Sequence, residues 1–477
     1  MTAFPSSKLA ALVLAAGQSR RMKSPLSKVL HPVAGRPLVH YPVAAARAAG
    51  ASQVVVVTSA KDRDVVEQYL VGAFGEGLIR IRVQDPPRGT GDAARIGLEG
   101  LAADAERTLI LYGDAPLLGQ EDLARLAATA QTAMELGLGT CRLRDPHGYG
   151  RIVRGPRGEV LSIVEQKDIK DPALAAIDEI NTGLYAVQVA ALRSALAGLS
   201  NDNAQGEYYL TDIVGWFAAR GRVQAVELSE DATLGVNDRA QLCEVEDRMF
   251  ARIARRHRLA GSSIASGVRI DDAVSIGSDV TLHAQVQLRG QTEIGAGSVI
   301  DVGSVIDNAR IGAGVTVLPY SVVAQSELGP GCQIGPFTHV RPHSVLEAEV
   351  KLGNFVETKA TRLRRGAKAN HLSYLGDGDV GENTNIGAGT IFCNYDGFAK
   401  HKTTIGRDVF IGSDSQLIAP VTIGDGAYVA TASSVTEDVP ADALAIGRVR
   451  QSTKPGYAPP LRARLKAAAA AAKGQRK

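Results

Sequence analysis

From about residue 268 a branched aliphatic residue recurs at every sixth position: Ile270, Ile276, Leu282, Leu288, Ile294, Ile300 and Ile306. An α-helix would carry successive sixth residues around its cylinder, and a simple strand would show alternation alone, so the chain must turn at a fixed interval. After a one-residue slip the rhythm resumes at Ile311, Val317 and Val323, then at Leu328, Ile334, Val340, Leu346 and Leu352. It returns as Ile405, Ile411, Leu417, Ile423, Val429 and Val435. Four residues after an aliphatic position stands a small or β-branched side chain, as in Val274, Val280, Val286, Thr292, Ser298 and Ser304. The pattern predicts stacked coils of short flat strands, each coil burying one aliphatic residue per face against its neighbours. Glycine often follows the aliphatic residue (Gly277, Gly295, Gly312, Gly335, Gly387, Gly412, Gly424), and glycine can take the positive φ that a tight corner requires.

At 477 residues the chain is expected to hold two or more domains. Its 45% hydrophobic and 22% charged residues suit a soluble globular protein, and a net charge of +3 gives no global argument for nucleic-acid binding. Cys141, Cys243, Cys332 and Cys393 lie far apart without metal-ligand spacing, which points to reduced thiols. The apolar run after Met1 to Leu9 is brief and flows into a Gly-Arg loop, so neither a signal peptide nor membrane insertion is expected, and a cytoplasmic location is.

The first half alternates strand-like segments (Leu9 to Ala15, Val54 to Thr58, Ile79 to Val83, Leu109 to Tyr112, Leu138 to Leu143) with periodic Ala-rich runs such as Val39 to Ala49 and Leu123 to Met134. That alternation predicts an α/β fold with a mostly parallel, Rossmann-like sheet whose ligands sit at the carboxyl ends of strands. The loop after the first strand reads Leu14-Ala15-Ala16-Gly17-Gln18-Ser19-Arg20-Arg21-Met22, with Lys28 beyond. Such a loop can cradle phosphates while Arg and Lys offset their charge; equally it can be a turn with two solvated cations. The dinucleotide fingerprint Gly-x-Gly-x-x-Gly is absent. Asp114, in Tyr112-Gly113-Asp114 at the end of a strand, fits either a magnesium ligand or a helix cap. Gln84 before Gly89-Thr90-Gly91 fits a base-edge contact or an ordinary turn. Leu242, Val245, Met249 and Ile253 at helical spacing mark a connecting helix.

In the hexad region, Arg341, Lys359, Arg362, Arg364, Arg365 and Lys368 concentrate positive charge ahead of His371-Leu372-Ser373-Tyr374. By itself the run reads as a solvated face; beside it, a histidine could remove a proton from an amine nucleophile. Between Phe392 and Ile405 the rhythm breaks at Cys393-Asn394-Tyr395-Asp396-Gly397-Phe398-Ala399-Lys400, and a loop must leave there. The segment from Leu461 to Lys477 is basic and Ala-rich and is expected to be a mobile, solubilising tail, with a clamp on coenzyme phosphates as the alternative.

These motifs, with Ser27-Lys28-Val29-Leu30, Gly148-Tyr149-Gly150-Arg151, Glu165-Gln166-Lys167-Asp168, Asn181-Thr182-Gly183, Gln205-Gly206-Glu207-Tyr208-Tyr209 and Gly235-Val236-Asn237-Asp238, resemble the sugar-1-phosphate nucleotidylyltransferases. With the hexads behind them, they resemble the bacterial bifunctional N-acetylglucosamine-1-phosphate uridylyltransferases and glucosamine-1-phosphate N-acetyltransferases. The resemblance implies a left-handed parallel β-helix, a homotrimer formed through it, and synthesis of UDP-N-acetylglucosamine for cell-wall and lipopolysaccharide polymers. It implies a uridylyltransferase domain over residues 1–238, a linker helix at 239–260, an acetyltransferase β-helix at 261–450 and a basic tail at 451–477. Leu14, Ala15, Ala16, Gly17, Lys28, Gln84, Gly89, Thr90, Tyr112 and Gly113 would then hold the uridine nucleotide, and Gly150, Glu165 and Asn181 the sugar. Asp114 and Asn237 would hold Mg2+, and Arg21 and Lys28 would stabilise phosphate charge. Arg341, Lys359, Tyr374 and Asn385 would bind the amino sugar phosphate, and Ala388, Asn394, Tyr395, Ser413, Thr431 and Arg448 acetyl-CoA, with His371 as base. Ser19, Arg20 and Ser27 replace the family's glycine, threonine and proline; Asn370 and Ser373 replace a glycine and a threonine beside His371, and Thr431 an alanine.

Overall fold

The computed structural model describes residues 8–17, 20–130 and 134–474. Ser19 therefore lies outside the described residues, as do residues 1–7, 131–133 and 475–477. By its contacts the chain divides into one unit of residues 1–260 with 269–274, and a second of 261–268 with 275–477.

In the first unit, Leu9–Ala15 is central to a sheet ordered Val223–Glu227, Leu136–Arg142, Glu179–Gln188, Arg107–Tyr112, Leu9–Ala15, Gln53–Thr58, Ile79–Val83. Leu9–Ala15 runs parallel to both neighbours, with Leu14 opposite Val57 and Tyr112. Its successive side chains enter the two cores on opposite faces of the sheet: Leu9, Ala11 and Val13 one, Leu12 and Leu14 the other. All seven residues are buried, so the segment reads as a continuous apolar run and not as alternation.

Two features were not expected from the sequence: the strand Glu179–Gln188, which runs antiparallel to all three of its partners, and the hairpin Arg151–Arg154 with Val160–Val164. The 21-residue helix Arg239–Leu259 starts at Asp238, whose carboxylate accepts the Gln241 N–H at 2.9 Å. Val245, Met249 and Ile253 form its buried stripe, and Arg252 donates to the Leu117 carbonyl at 2.8 Å within the first unit.

The second unit is a left-handed parallel β-helix of three sheets. Ile294 pairs with Ile311 on one face, Ile300 with Val317 on the next and Ile306 with Val323 on the third. Ile300, Ile306, Val317 and Val323 are fully buried, as are Thr292, Ser298 and Ser304 behind the corners. These inward hydroxyls are bonded rather than orphaned: Ser298 donates to the Gly312 carbonyl at 2.9 Å and accepts from the Val315 N–H at 3.2 Å.

The corners correct the expected role of glycine. Of the seven glycines named above only Gly335 has positive φ. The left-handed residue comes two places later, and it is Asp279, Gln285, Tyr320 or Phe337 as readily as Gly297. The glycine after the aliphatic residue is there because coils stack on it. A Cβ on Gly295 would stand 2.5 Å from the carbonyl carbon of Gly312, and one on Gly412 2.4 Å from the amide nitrogen of Thr431. The slips in the rhythm have the same geometric origin. Where a corner takes five residues, as from Ile306 to Ile311 and Val323 to Leu328, the left-handed residue moves one place earlier, to Asn308 and Gln325.

The basic tail carries a helix, Ala458–Gly474, consistent with the high propensity of its alanines, and its described side chains are exposed apart from the half-buried Leu461.

Candidate active sites

The carboxyl end of Leu9–Ala15 opens into a cavity of about 710 Å3 lined by Leu14, Ala15, Ala16, Gly17, Arg21, Lys28, Gln84, Gly89, Thr90, Tyr112 and Asp114, together with Lys167, Gln205 and Glu207. Of the sequence-derived nucleotide residues, Gly113 stands behind this wall: its N–H donates to the Leu14 carbonyl at 2.9 Å, and a Cβ there would meet that of Ala15 at 2.9 Å. Gln84 is buried, and its amide nitrogen donates to the Gly89 carbonyl at 3.0 Å and to Asp92 at 2.9 Å. The Gly89-Thr90-Gly91 turn is stapled to a second segment: the Gly91 N–H donates to the Tyr208 carbonyl at 2.8 Å, and Thr90 Oγ1 accepts the Leu210 N–H at 3.1 Å. Gly89, at φ +104, has no room for a side chain, since a Cβ would lie 2.6 Å from the Tyr208 carbonyl oxygen. The Arg20 backbone begins a short 3-10 helix that carries Arg21.

A second cavity of about 280 Å3 shares Arg21, Tyr112 and Asp114 and adds His147, Gly148, Tyr149, Thr182, Gly235, Asn237 and Gln241. The sugar residues of the sequence reading cluster around a common strand end. The Asn181 N–H donates to the Gly150 carbonyl at 2.9 Å, and a Cβ on Gly150 would lie 3.5 Å from Glu165 Oε2. Glu165 accepts from the Thr211 hydroxyl at 3.0 Å, and burial raises its carboxyl above the usual range, partly countered by that hydrogen bond.

Asp114 and Asn237, far apart in sequence, meet at one ammonium. Lys28 Nζ forms a short ion pair with Asp114 and donates to Asn237 Oδ1 at 3.3 Å. The Asn237 backbone is held in turn by Gln241, which accepts its N–H at 2.8 Å. Among the described residues no group of three or more His, Cys, Asp or Glu side chains could hold a metal ion. Two protein oxygens that already grip a cation fit a magnesium ion completed by substrate phosphates and water.

On the β-helix, His371 ends the strand Lys368–His371 at a prism corner and is exposed. Successive coils carry the residues expected to meet a coenzyme up this corner. The His371 carbonyl accepts the Gly389 N–H, the Ala388 carbonyl the Asp414 N–H at 2.6 Å, the Ser413 carbonyl the Ala432 N–H at 2.8 Å and the Thr431 carbonyl a guanidinium N–H of Arg448 at 2.6 Å. Ala388, Ser413, Thr431 and Arg448 thus form one ladder above His371.

The basic run divides. Arg362, Arg364 and Arg365 form ion pairs with Glu347, Asp379 and Glu349 at 2.8 to 3.1 Å, which is the solvated face that a charge run usually makes. Lys359 instead faces Lys400, and hydrogen bonding to that second amine, with its charge, holds Lys359 below the usual lysine range. Tyr374 follows on the same sheet, in register with Glu357, which pairs with Arg341 at 2.7 Å. Asn385 stacks on Lys368, on the sheet of His371 and not on that of Lys359 and Tyr374.

The expected loop leaves after Ile391–Cys393 and returns before Thr403–Ile405. Asn394 is buried at its root and donates to Asp377 at 2.6 Å, while Tyr395 and Phe398 stand 61% and 98% exposed at its tip. Sequence reasoning passed over Lys400, Asp377, Lys167 and Thr211, because nothing local in their motifs marks them; they reach their sites only through stacking or loop contacts.

Residues 11–204 match the family described as MobA-like NTP transferase domain, and residues 402–436 that described as bacterial transferase hexapeptide (six repeats). The chain is 53% identical to the bifunctional protein GlmU of Sorangium cellulosum, over 97% of this chain and 98% of the relative. It is 46% identical to that of Pseudomonas syringae pv. syringae over 94% and 98%, and 45% identical to that of Trichlorobacter lovleyi over 94% and 97%.

Proposed function

Since the chain belongs to the family of the bifunctional protein GlmU, we propose that its two sites divide the synthesis of UDP-N-acetylglucosamine residue by residue as follows. The protein is a bifunctional transferase: it acetylates glucosamine 1-phosphate on the β-helix and transfers uridylyl from UTP to N-acetylglucosamine 1-phosphate on the α/β domain.

In the α/β domain the loop from Leu14 to Gly17 and Arg21 bind the triphosphate of UTP, and Gln84 with Gly89 and Thr90 holds the uracil edge. Gly150, Glu165 and Asn181 orient the sugar so that its phosphate oxygen attacks the α-phosphorus and pyrophosphate leaves. Asp114 and Asn237 would hold Mg2+, which when bound supplies Lewis-acid stabilisation of phosphate charge. Lys28 and Arg21 meet the charge that builds on the phosphates. No protein nucleophile is required.

On the β-helix, Arg341, Lys359 and Tyr374 bind the amino sugar phosphate. His371 takes a proton from the ammonium and passes it to solvent, the freed amine attacks the thioester carbonyl, and the thiolate of the coenzyme leaves with the second proton that the nitrogen gives up as the amide forms. The ladder of Ala388, Ser413, Thr431 and Arg448 carries acetyl-CoA. The exposed Tyr395, next to Asn394, and Asn385, which lies on a different sheet from Lys359 and Tyr374, serve a neighbouring copy in a homotrimer. No described helix is long and apolar enough to cross a membrane, and we assign the enzyme to the cytoplasm.

The observation that carries the reading is the pairing of a nucleotide-sized, cation-lined cavity at one strand end with the His371 corner ladder on a separate fold. Incubation with glucosamine 1-phosphate, acetyl-CoA, UTP and Mg2+, omitting each in turn, tests it. Thiol release must need only the first two, and pyrophosphate release from glucosamine 1-phosphate must need all four. Pyrophosphate release without acetyl-CoA at the full rate would contradict the order of the two reactions.

A further inference from the structure

The cation bound between Asp114 and Asn237 in this structure is the side chain of Lys28. Its ammonium is paired with the Asp114 carboxylate and donates to Asn237 Oδ1 at 3.3 Å. Both side chains of the ion pair are largely buried, at 14% and 17% exposure, so the contact is poorly screened by solvent. The same lysine lines the nucleotide cavity beside Gly17 and Arg21. It therefore has two places to put its charge: on the carboxylate, or on a phosphate in the cavity.

We propose that Lys28 is a resident counter-ion that keeps the metal position filled until nucleotide phosphate draws it away. A magnesium ion must approach these oxygens to about 2.0–2.1 Å, where an ammonium at hydrogen-bond distance already stands, and two cations cannot share the position. Metal entry requires Lys28 to leave, and a phosphate within its reach is where its charge is best compensated. Binding of metal and of nucleotide phosphate is thereby coupled through one side chain, and the coupling is reciprocal. This rests on Asp114 and Asn237 being the metal ligands.

The test is Mn2+ binding to the full-length protein without nucleotide, followed by the electron paramagnetic resonance of free Mn2+. Lys28→Met and Lys28→Gln are expected to bind Mn2+ about 10-fold more tightly than wild type, and Mn2+ is expected to raise their thermal midpoint more. Arg21→Met, which removes an equal charge from the cavity but not the contact, should change the affinity less. UTP should raise Mn2+ affinity in wild type by a larger factor than in Lys28→Met. Unchanged or weaker Mn2+ binding by both Lys28 variants, while Asp114→Ala abolishes binding, would overturn the counter-ion role alone. Wild-type Mn2+ binding by Asp114→Ala would overturn the ligand assignment and this inference with it.

Discussion

If glycine follows the aliphatic residue so that coils can stack, Gly295→Ala must harm the β-helix more than Gly297→Ala, two places along the same coil. The new Cβ at 295 would stand 2.5 Å from the Gly312 carbonyl carbon and 2.6 Å from the Ala313 nitrogen, against 3.4–4 Å for ordinary contact. The coils must part there by roughly 0.9 Å, a large step beside the ~4.8 Å between neighbouring strands. The bonds from Gly295 N–H to the Ile311 carbonyl at 2.7 Å and from Gly314 N–H to the Ala296 carbonyl at 2.9 Å would stretch beyond useful length. Two lost hydrogen bonds at about 1 kcal/mol each, with overpacking of about 1–3 kcal/mol, outweigh the roughly 0.4–1 kcal/mol that alanine gains through the unfolded chain. The net expectation is a destabilisation of about 3 kcal/mol. Gly297 has positive φ and nothing within 4 Å of an added Cβ. Its cost is the left-handed backbone alone, about 1 kcal/mol, which Tyr320 and Gln285 already bear at equivalent corners. Denaturant unfolding followed by circular dichroism, with acetyl transfer as a local readout, should therefore rank Gly295→Ala well below Gly297→Ala. Equal loss, or the reverse order, would refute the stacking explanation.

Two further outcomes follow from individual side chains. Burial holds His40 at about 4 against an ordinary 6.5, with its Nδ1 against the Tyr69 hydroxyl at 3.0 Å. Between those values the unfolded state takes a proton that the folded state refuses, so stability falls as pH drops from 6.5 towards 4, by up to about 3 kcal/mol. His40→Phe should flatten that dependence in urea titrations at pH 5 and 7.5, and an unchanged slope would contradict it. Lys400→Ala should raise KM for glucosamine 1-phosphate about 10-fold, leave the UTP-dependent reaction intact and return Lys359 to an ordinary lysine range, as read by amine-selective labelling.

The β-helix was legible because its repeat is one-dimensional: each buried aliphatic residue meets its counterpart one coil away, so periodicity alone fixes which side chains face inward. Four strands of the α/β sheet were legible as apolar runs buried on both faces, and the edge strand Ile79–Val83 as an alternation of apolar residues with arginine. Glu179–Gln188 was not, because Glu179, Asn181, Thr182 and Gly183 dilute its first half where it borders the smaller cavity. The glycine role was misread because a sequence shows that a side chain is absent and not which atom would have struck it. Asp114 and Asn237 were each ambiguous singly; the ammonium that joins them is a tertiary fact. The same holds for Lys400, whose partner Lys359 lies two coils back across a loop that broke the rhythm.

A crossover of two single variants measures directly whether one chain runs two independent chemistries. Asp114→Ala is predicted to lose uridylyl transfer while releasing thiol from acetyl-CoA at the wild-type rate. His371→Ala is predicted to lose thiol release while joining UTP to supplied N-acetylglucosamine 1-phosphate normally. Loss of both activities in either soluble, folded variant, or retention of thiol release by His371→Ala, would contradict it.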